Sequence, residues 1–405
     1  MKKLVYTEIE GKSKGFLQLA VALLSVIGIG LLAAYYMEHN GHVVTGMNNQ
    51  IVWGLPHVFA IFLIVAASGA LNVASISSVF GKTAYKPLAR LSGLVAISLL
   101  LGGLCILLLD LGRPDRLIVA MTYYNFSSIF TWNILLYNGF FAIVIVYLWT
   151  MMEGQYNQYS KHVGMAAFIW RLVLTTGTGS IFGFLVARET YDAAIMAPTF
   201  IALSFSIGLA SFMLILYASY KWGARPLGIG TMKRLKNLLG VFVAGVMFLV
   251  AIFHLTNLYA AEHADVENFM LNGSGYAFIF WIFQIGLGSV LPLYYFYSSK
   301  YKDNLKYMLR GAGLVLLGGF SQLYVIIIGG QAYPLELFPG YEVSSSFFDG
   351  EIGNYFPTLP EMLLGLGGVA ISLFTILFAL KLLKFLPTSL ADEDVDPHYK
   401  AKSTD

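Results

Sequence analysis

Ten apolar stretches, each long enough to cross a bilayer, follow one another along this 405-residue chain. A helix of about 20 apolar residues matches the ~30 Å hydrocarbon core of a membrane. The chain therefore reads as an all-α integral membrane protein of ten transmembrane helices. The stretches fall at 16–37, 51–79, 91–110, 128–152, 164–187, 199–219, 238–260, 275–297, 311–330 and 361–383. Hydrophobic residues make up 58% of the chain and charged residues 12%, about half the charged share of a soluble domain. Residues 1–390 read as a single transmembrane domain, and 391–405 as a disordered cytoplasmic tail.

The distribution of lysine and arginine sets the orientation, because these residues concentrate in cytoplasmic connections. Of the 25 present, 21 lie at the two ends or in every second connection. Only Arg113, Arg116 and Arg188 lie in the opposite connections, and Arg171 lies inside a stretch. Ten spans with both termini cytoplasmic satisfy this alternation, and an odd number would break it. The outer connection 331–360 is the longest and has no Lys or Arg, but carries Glu336, Glu342, Asp349 and Glu351 among many aromatics. It reads either as a solvated cap or as a docking surface for an extracytoplasmic partner.

Lys2, Lys3, Lys12 and Lys14 precede the first stretch, as in a signal peptide. The apolar run to Met37 is too long for that, so it reads as an uncleaved helix. The net charge of +3 sits in membrane-flanking loops and does not point to nucleic acid. The single cysteine, Cys105, cannot build a disulfide, a zinc knuckle or a cysteine-ligated cluster. Iron–sulfur or c-type haem chemistry would belong to a partner.

Ionisable groups inside spans are costly and are functional candidates. His57, in Trp53-Gly54-Leu55-Pro56-His57, and His254, three residues before Asn257, are both expected roughly 9 Å below the outer face. Each reads either as a helix–helix hydrogen bond or as a member of one outward site. Asp110 ends the third stretch, with Gly112 as a C-cap and Pro114 as a stop. A carboxylate there opposes the helix dipole. It serves either as half of a structural pair with Arg113 or Arg116, or as a proton-exchanging group at the membrane surface. Arg171 either snorkels to the cytoplasmic headgroups or begins a polar thread through Thr175 and Thr178 to Arg188, Glu189 and Asp192. Aromatics at the outer ends, such as Tyr123 in Tyr123-Tyr124-Asn125-Phe126, form an interfacial belt or line a pocket for a flat ring with an isoprenoid tail.

Trp53-Gly54 opening a span, Ser68-Gly69-Ala70 in its middle and Leu109-Asp110-Leu-Gly-Arg113-Pro114 closing the next resemble the NrfD/PsrC family. Its members are membrane subunits of polysulfide-reductase-type complexes. Ten spans and the segment Trp53-Gly-Leu-Pro-His57-Val-Phe are most similar to its DsrP branch, from complexes of the DsrMKJOP type. The resemblance implies a quinone (menaquinone or ubiquinone) site near the outer face and no redox metal or haem within the chain. It also implies an extracytoplasmic four-cluster ferredoxin-like iron–sulfur partner. In a DsrMKJOP-type complex, a multihaem cytochrome c and haem b and iron–sulfur subunits would complete the assembly. Asp110 and Arg113 map onto the family turn. Together these readings give a quinone-reacting electron-transfer subunit, its ring held by Trp53, His57, Asp110, Arg113, Tyr123, His254 and Asn257, with Asp110 or His57 exchanging protons. The competing classes are a secondary transporter, which would carry broken helices and polar groups at the midplane, and a b-type cytochrome, which would pair His57 with His254.

Overall fold

The computed structural model describes residues 4–335 and 350–396. Among them are ten helices long and apolar enough to cross a membrane: α1 Lys14–Asn40, α2 Leu55–Ser78, α3 Thr83–Leu109, α4 Ile129–Met152, α5 Gly154–Phe184, α6 Met196–Trp222, α7 Ile229–Tyr259, α8 Gly275–Tyr297, α9 Leu305–Ala332 and α10 Leu359–Leu382. The protein is a multi-pass integral membrane protein, as the apolar pattern requires. The largest departures from the sequence boundaries are at the lysine-rich ends of α3, α5 and α7, which begin eight to ten residues early. Their extra turns carry polar and charged residues such as Lys86, Asn157 and Lys233, which hydropathy alone assigns to loops.

Helices α2, α3, α4 and α5 pack in a ring, and α6, α7, α8 and α9 form a second ring. The rings meet where α2 packs on α6 and α9, and α5 on α6. This makes α2 and α6 the most enclosed spans, with 83% and 72% of their apolar windows buried. Small residues permit that contact. A Cβ at Gly69 would fall inside the carbonyl oxygen of Ser204, and one at Gly208 against the backbone of Gly69 and Ala70. Helix α10 packs on α2 and α3, and α1 lies outside on α10.

Both ends of the described chain lie on one face. Tyr6–Thr7 pairs antiparallel with Leu386–Pro387. Arg90 donates to the carbonyls of Lys384 and Met151 at 3.1 and 2.6 Å, and its guanidinium lies 4.1 Å over the Tyr6 ring. That ring is largely buried, and desolvation pushes the phenol pKa up despite the nearby Arg90. This is the lysine-rich face, which the charge rule places in the cytoplasm.

Residues 392–395, within the segment read as a tail, form a short helix against α7. The carboxylate of Asp392 accepts from Gly230 N at 3.0–3.1 Å, capping the first turn of α7, where an anion complements the helix dipole. Asp396 pairs with Arg234 at 3.1 Å, and Val395 is buried. Residues 397–405 lie outside the described residues, as do 336–349, the middle of the long outer connection.

Candidate functional site

Asp110 closes α3, its N–H bonded to Ile106 O at 2.9 Å. Gly112 then adopts φ +68°, a left-handed turn that favours glycine and lets the chain reverse at the lysine-poor face. The Asp110 side chain is turned inward rather than out to solvent. Its Oδ2 lies 2.9 Å from His57 Nδ1, with the carboxylate 1% exposed and the imidazole 23%. Its Oδ1 is buried and has no hydrogen-bond partner among the described residues. His57 is the third residue of α2 and sits in its first turn. With Nδ1–H donating to Asp110, Nε2 is the acceptor nitrogen of the imidazole.

Aromatic rings wall this pair. Trp53 stacks on His57 (centroids 5.9 Å apart, planes 18° apart) and on Tyr191 (6.2 Å, 21°). Phe130 and Phe182 meet Trp53 edge-on at 6.0 and 6.1 Å. Trp53 is held through its backbone by Gln331, at the outer end of α9. Gln331 Oε1 accepts from Val52 N and Trp53 N at 2.9 and 3.0 Å, and Nε2 donates to Trp53 O at 3.0 Å and Ile327 O at 2.7 Å. The same helix end grips the α5–α6 connection. Tyr191 Oη donates to Ile327 O at 2.6 Å, Thr190 to Gly330 O at 2.8 Å, and Arg188 to Gln331 O at 3.0 Å and Gln50 O at 2.8 Å. Val325–Gly329 runs as a π-helix just before this end, and such turns recur at functional sites. Burial pushes the Tyr191 phenol up, so it remains a neutral donor. Burial also lowers the pKa of Arg188.

A second anchor lies under Gly54. Glu361, fully buried at the start of α10, accepts from Gly46 N at 2.9 Å, from Thr358 N and Oγ1 at 2.7 and 2.9 Å, and from Tyr355 Oη at 2.7 Å. Tyr355 Oη in turn accepts Leu55 N at 2.6 Å. A Cβ at Gly54 would collide with the Glu361 carboxylate and the Tyr355 hydroxyl, so glycine beside Trp53 is a close-approach requirement. Burial and Glu361 both raise the Tyr355 pKa.

Of the residues singled out from sequence, Trp53, His57 and Asp110 come together, with Arg188 in the supporting layer. Arg113 does not join them. It is exposed and bonded to Asp115 at 3.1 Å through both Nε and Nη2, which holds the Asp115 carboxyl below its usual range. The expected Asp110–arginine pair is therefore replaced by Asp110–His57. Tyr123 is 83% exposed, and the Tyr123–Phe126 run does not line the site. The wall is built instead from Trp53, Phe130, Phe182 and Tyr191, which only the fold brings together.

His254 belongs to a separate cluster at the outer end of α7. Its Nδ1 bonds Glu267 Oε1, and Asn257 donates to Glu267 Oε2 at 3.1 Å. Phe280 stands edge-on to the His254 ring at 4.7 Å. Each of the two histidines is thus bonded through Nδ1 to its own carboxylate, one in each ring of helices. Gln331, Glu361 and Glu267 were missed. Only the cost of a buried Glu or Gln near a span end hinted at them.

Arg171 does not snorkel. It is fully buried, about eleven residues into the α-helical part of α5 and thus roughly 17 Å deep. Its guanidinium donates to Asn72 Oδ1 at 2.9 Å and lies 4.8 and 4.9 Å over the rings of Phe168 and Phe205. Its Nε and Nη1 have no partner among the described residues. Above it, Thr175 bonds Ser68 at 2.6 Å, and Thr178 reaches Asn133 and Tyr137 at 3.3 Å. Asp192 is exposed, and Glu189 is half-buried beside Thr190.

The family described as Polysulphide reductase, NrfD matches residues 43–334, most of the ten-helix bundle and all of the Trp53–Asp110–Gln331 site. The chain belongs to this NrfD family. It is 28% identical to the Hdr-like menaquinol oxidoreductase integral membrane subunit of Archaeoglobus fulgidus, over 96% of this chain and 99% of that protein. It is 26% identical to the C component of selenate reductase from Mesobacillus selenatarsenatis, over 89% and 92%. The C component of polysulfide reductase from Wolinella succinogenes is 24% identical, over 70% of this chain and 96% of that one. Two of these names give an oxidant, selenate and polysulfide, and the third gives menaquinol.

Proposed function

We propose that this NrfD-family chain is the quinone-reacting membrane subunit of an oxidoreductase complex, and that it works at the His57–Asp110 pair. The observation that carries this reading is a buried carboxylate with one unpartnered oxygen, bonded to a part-exposed histidine beneath an aromatic wall at the membrane surface. Such a site fits a flat ring bearing two oxygens. The aromatic wall borders the ring, His57 Nε2 faces one ring oxygen, and Asp110 Oδ1 remains for a second polar contact or a water. A quinol that loses two electrons also loses two protons. His57 takes one proton from a ring hydroxyl at Nε2 while Asp110 stabilises the imidazolium formed, passes it to outer water, and then takes the second in the same way. Reduction of the ring runs the same transfer backwards. The name of the Archaeoglobus relative favours menaquinone over ubiquinone.

Electrons leave or arrive through an extracytoplasmic iron–sulfur subunit of the four-cluster ferredoxin type docked on the lysine-poor face. A DsrP-like place in a DsrMKJOP-type assembly, with a multihaem cytochrome c and haem b and iron–sulfur subunits, is the finer form of this proposal. Crosslinks from residues 350–358 that reach only lipid would count against the docking face. The thread Arg171, Thr175, Thr178, Arg188, Glu189 and Asp192 is proposed as a proton route. It rests on the unpartnered guanidinium nitrogens deep in the bundle.

Asp110→Asn tests the site. The amide keeps the shape and one acceptor oxygen but cannot stabilise imidazolium. General acid–base steps contribute roughly 10²–10⁴-fold, so quinone-linked turnover should fall by about that factor in fully assembled complex. Normal turnover with normal assembly would remove Asp110 from the site.

A further inference from the structure

On the opposite, lysine-rich face, a chamber of about 1140 Å³ opens between α1, α6 and α10. It is larger than the roughly 300–1,000 Å³ of small-molecule sites. Its deepest lining residues are Leu23, Leu214 and Leu373, each eight or nine residues from the lysine-rich end of its helix. At 1.5 Å per residue the chamber is about 12–14 Å deep, which is one leaflet of a ~30 Å core. A partner helix would need a groove twice that depth. The walls are apolar leucines and isoleucines, and the polar residues gather at the mouth.

That mouth is built. The N-terminal strand lies across it, with Ile9 N donating to Leu380 O at 2.9 Å. Arg225 sits beneath the strand, donating to Glu8 O at 2.7 Å and, at 3.3–3.5 Å, to the carbonyls of Thr7, Leu386 and Pro387. It has no carboxylate partner among the described residues. Ala224, just before it, is the one non-glycine described residue at positive φ (+50°), a conformation that L side chains rarely adopt. That turn brings Arg225 back under the strand. Lys12, Glu8 and Glu10 complete the charged lining. Two cations and two carboxylates at headgroup depth, above an apolar chamber one leaflet deep, match a zwitterion better than an anion.

We infer that this chamber is a specific site for one inner-leaflet phospholipid with an amine-bearing, zwitterionic headgroup. Arg225 and Lys12 face the phosphate, Glu8 and Glu10 face the ammonium, and the acyl chains run between α1, α6 and α10. The lipid fills the gap that α1 leaves by packing on α10 alone, tying the outermost helix to α6.

The test is native mass spectrometry with lipid extraction on the full-length chain in its purified complex, after exhaustive detergent exchange. It is followed by reloading from vesicles of phosphatidylethanolamine, phosphatidylcholine or phosphatidylglycerol. About one phospholipid per chain should be retained, with phosphatidylethanolamine reloading best. Ala218→Trp, which places an indole inside the chamber, should weaken retention without changing quinone-linked turnover, because the His57–Asp110 site is at the other face. Losing one charge-assisted contact is worth about 1.5–3 kcal/mol, so Arg225→Gln should weaken reloading roughly tenfold or more. Lys12→Gln tests the headgroup without disturbing the strand that Arg225 supports, and should weaken reloading in the same direction. Preferential loading of phosphatidylglycerol would overturn the headgroup assignment. So would lipid retention indifferent to both Lys12→Gln and Arg225→Gln. Recovery of a quinone rather than a phospholipid from the unsubstituted complex, lost in Ala218→Trp, would overturn the site. So would a crosslink from Ala218→Cys into another subunit.

Discussion

At the scale of single residues, the site depends on side chains that do no chemistry. Gln331 uses both ends of its amide to fix the backbone of Trp53, the ring that faces His57. Gln331→Leu leaves the Val52 and Trp53 N–H groups without their acceptor, at about 1–3 kcal/mol for each buried group. The expected outcome is a rise of about tenfold in the KM for quinol, with a smaller change in kcat. Gln331→Glu keeps the acceptor oxygen and should recover part of the loss. Steady-state kinetics of the assembled complex with both variants check this, and equal loss of kcat and KM affinity in both would assign Gln331 to folding alone. Asp110 and His57 stood out in the sequence because ionisable groups within spans are costly. Gln331 did not, because a glutamine beside Gly329-Gly330 looks like any loop residue until α9 is seen against α2.

At the scale of elements, the α2–α6 contact decides how the two rings meet. Ala66-Ala67-Ser68-Gly69-Ala70 announced close packing, but not against which helix. Gly69→Val would force α6 away from α2 at Ser204. Overpacking of this kind costs about 1–3 kcal/mol or more, and the expected outcome is loss of assembled protein, measured by yield and thermal unfolding in detergent. Arg171 sits beside this contact without an anionic partner. Replacing a buried charge by an apolar residue of similar volume is often neutral or stabilising. Arg171→Met should therefore keep yield and quinone-linked turnover. If the thread carries protons, it should also abolish proton uptake from the lysine-rich side of vesicles. Unchanged proton uptake would reduce the thread to packing.

At the scale of the whole molecule, each ring of four helices carries its own outer histidine–carboxylate pair. His57–Asp110 has an unpartnered oxygen and an aromatic wall. In His254–Glu267–Asn257 both carboxylate oxygens are taken, which leaves that pair less to offer a ligand. His254→Gln should accordingly lower quinone-linked turnover far less than the roughly 10²–10⁴-fold expected of Asp110→Asn, with the cost appearing in stability. A matching loss of turnover in the two variants, both fully assembled, would make the second ring part of the reaction.

Hydropathy and lysine placement alone determined the ten spans, their alternation and the lysine-rich face, because a bilayer imposes length and charge rules on each segment separately. The Asp110 turn was also legible, since Gly112 and Pro114 act locally on the backbone. The partners of the polar side chains were not. Asp110 with His57, Arg113 with Asp115, His254 with Glu267 and Gln331 with Trp53 depend on which helices become neighbours and how they are rotated. That choice is made by close contacts such as Gly69 on Ser204, between residues far apart in the chain, and it becomes readable only once the helices are packed.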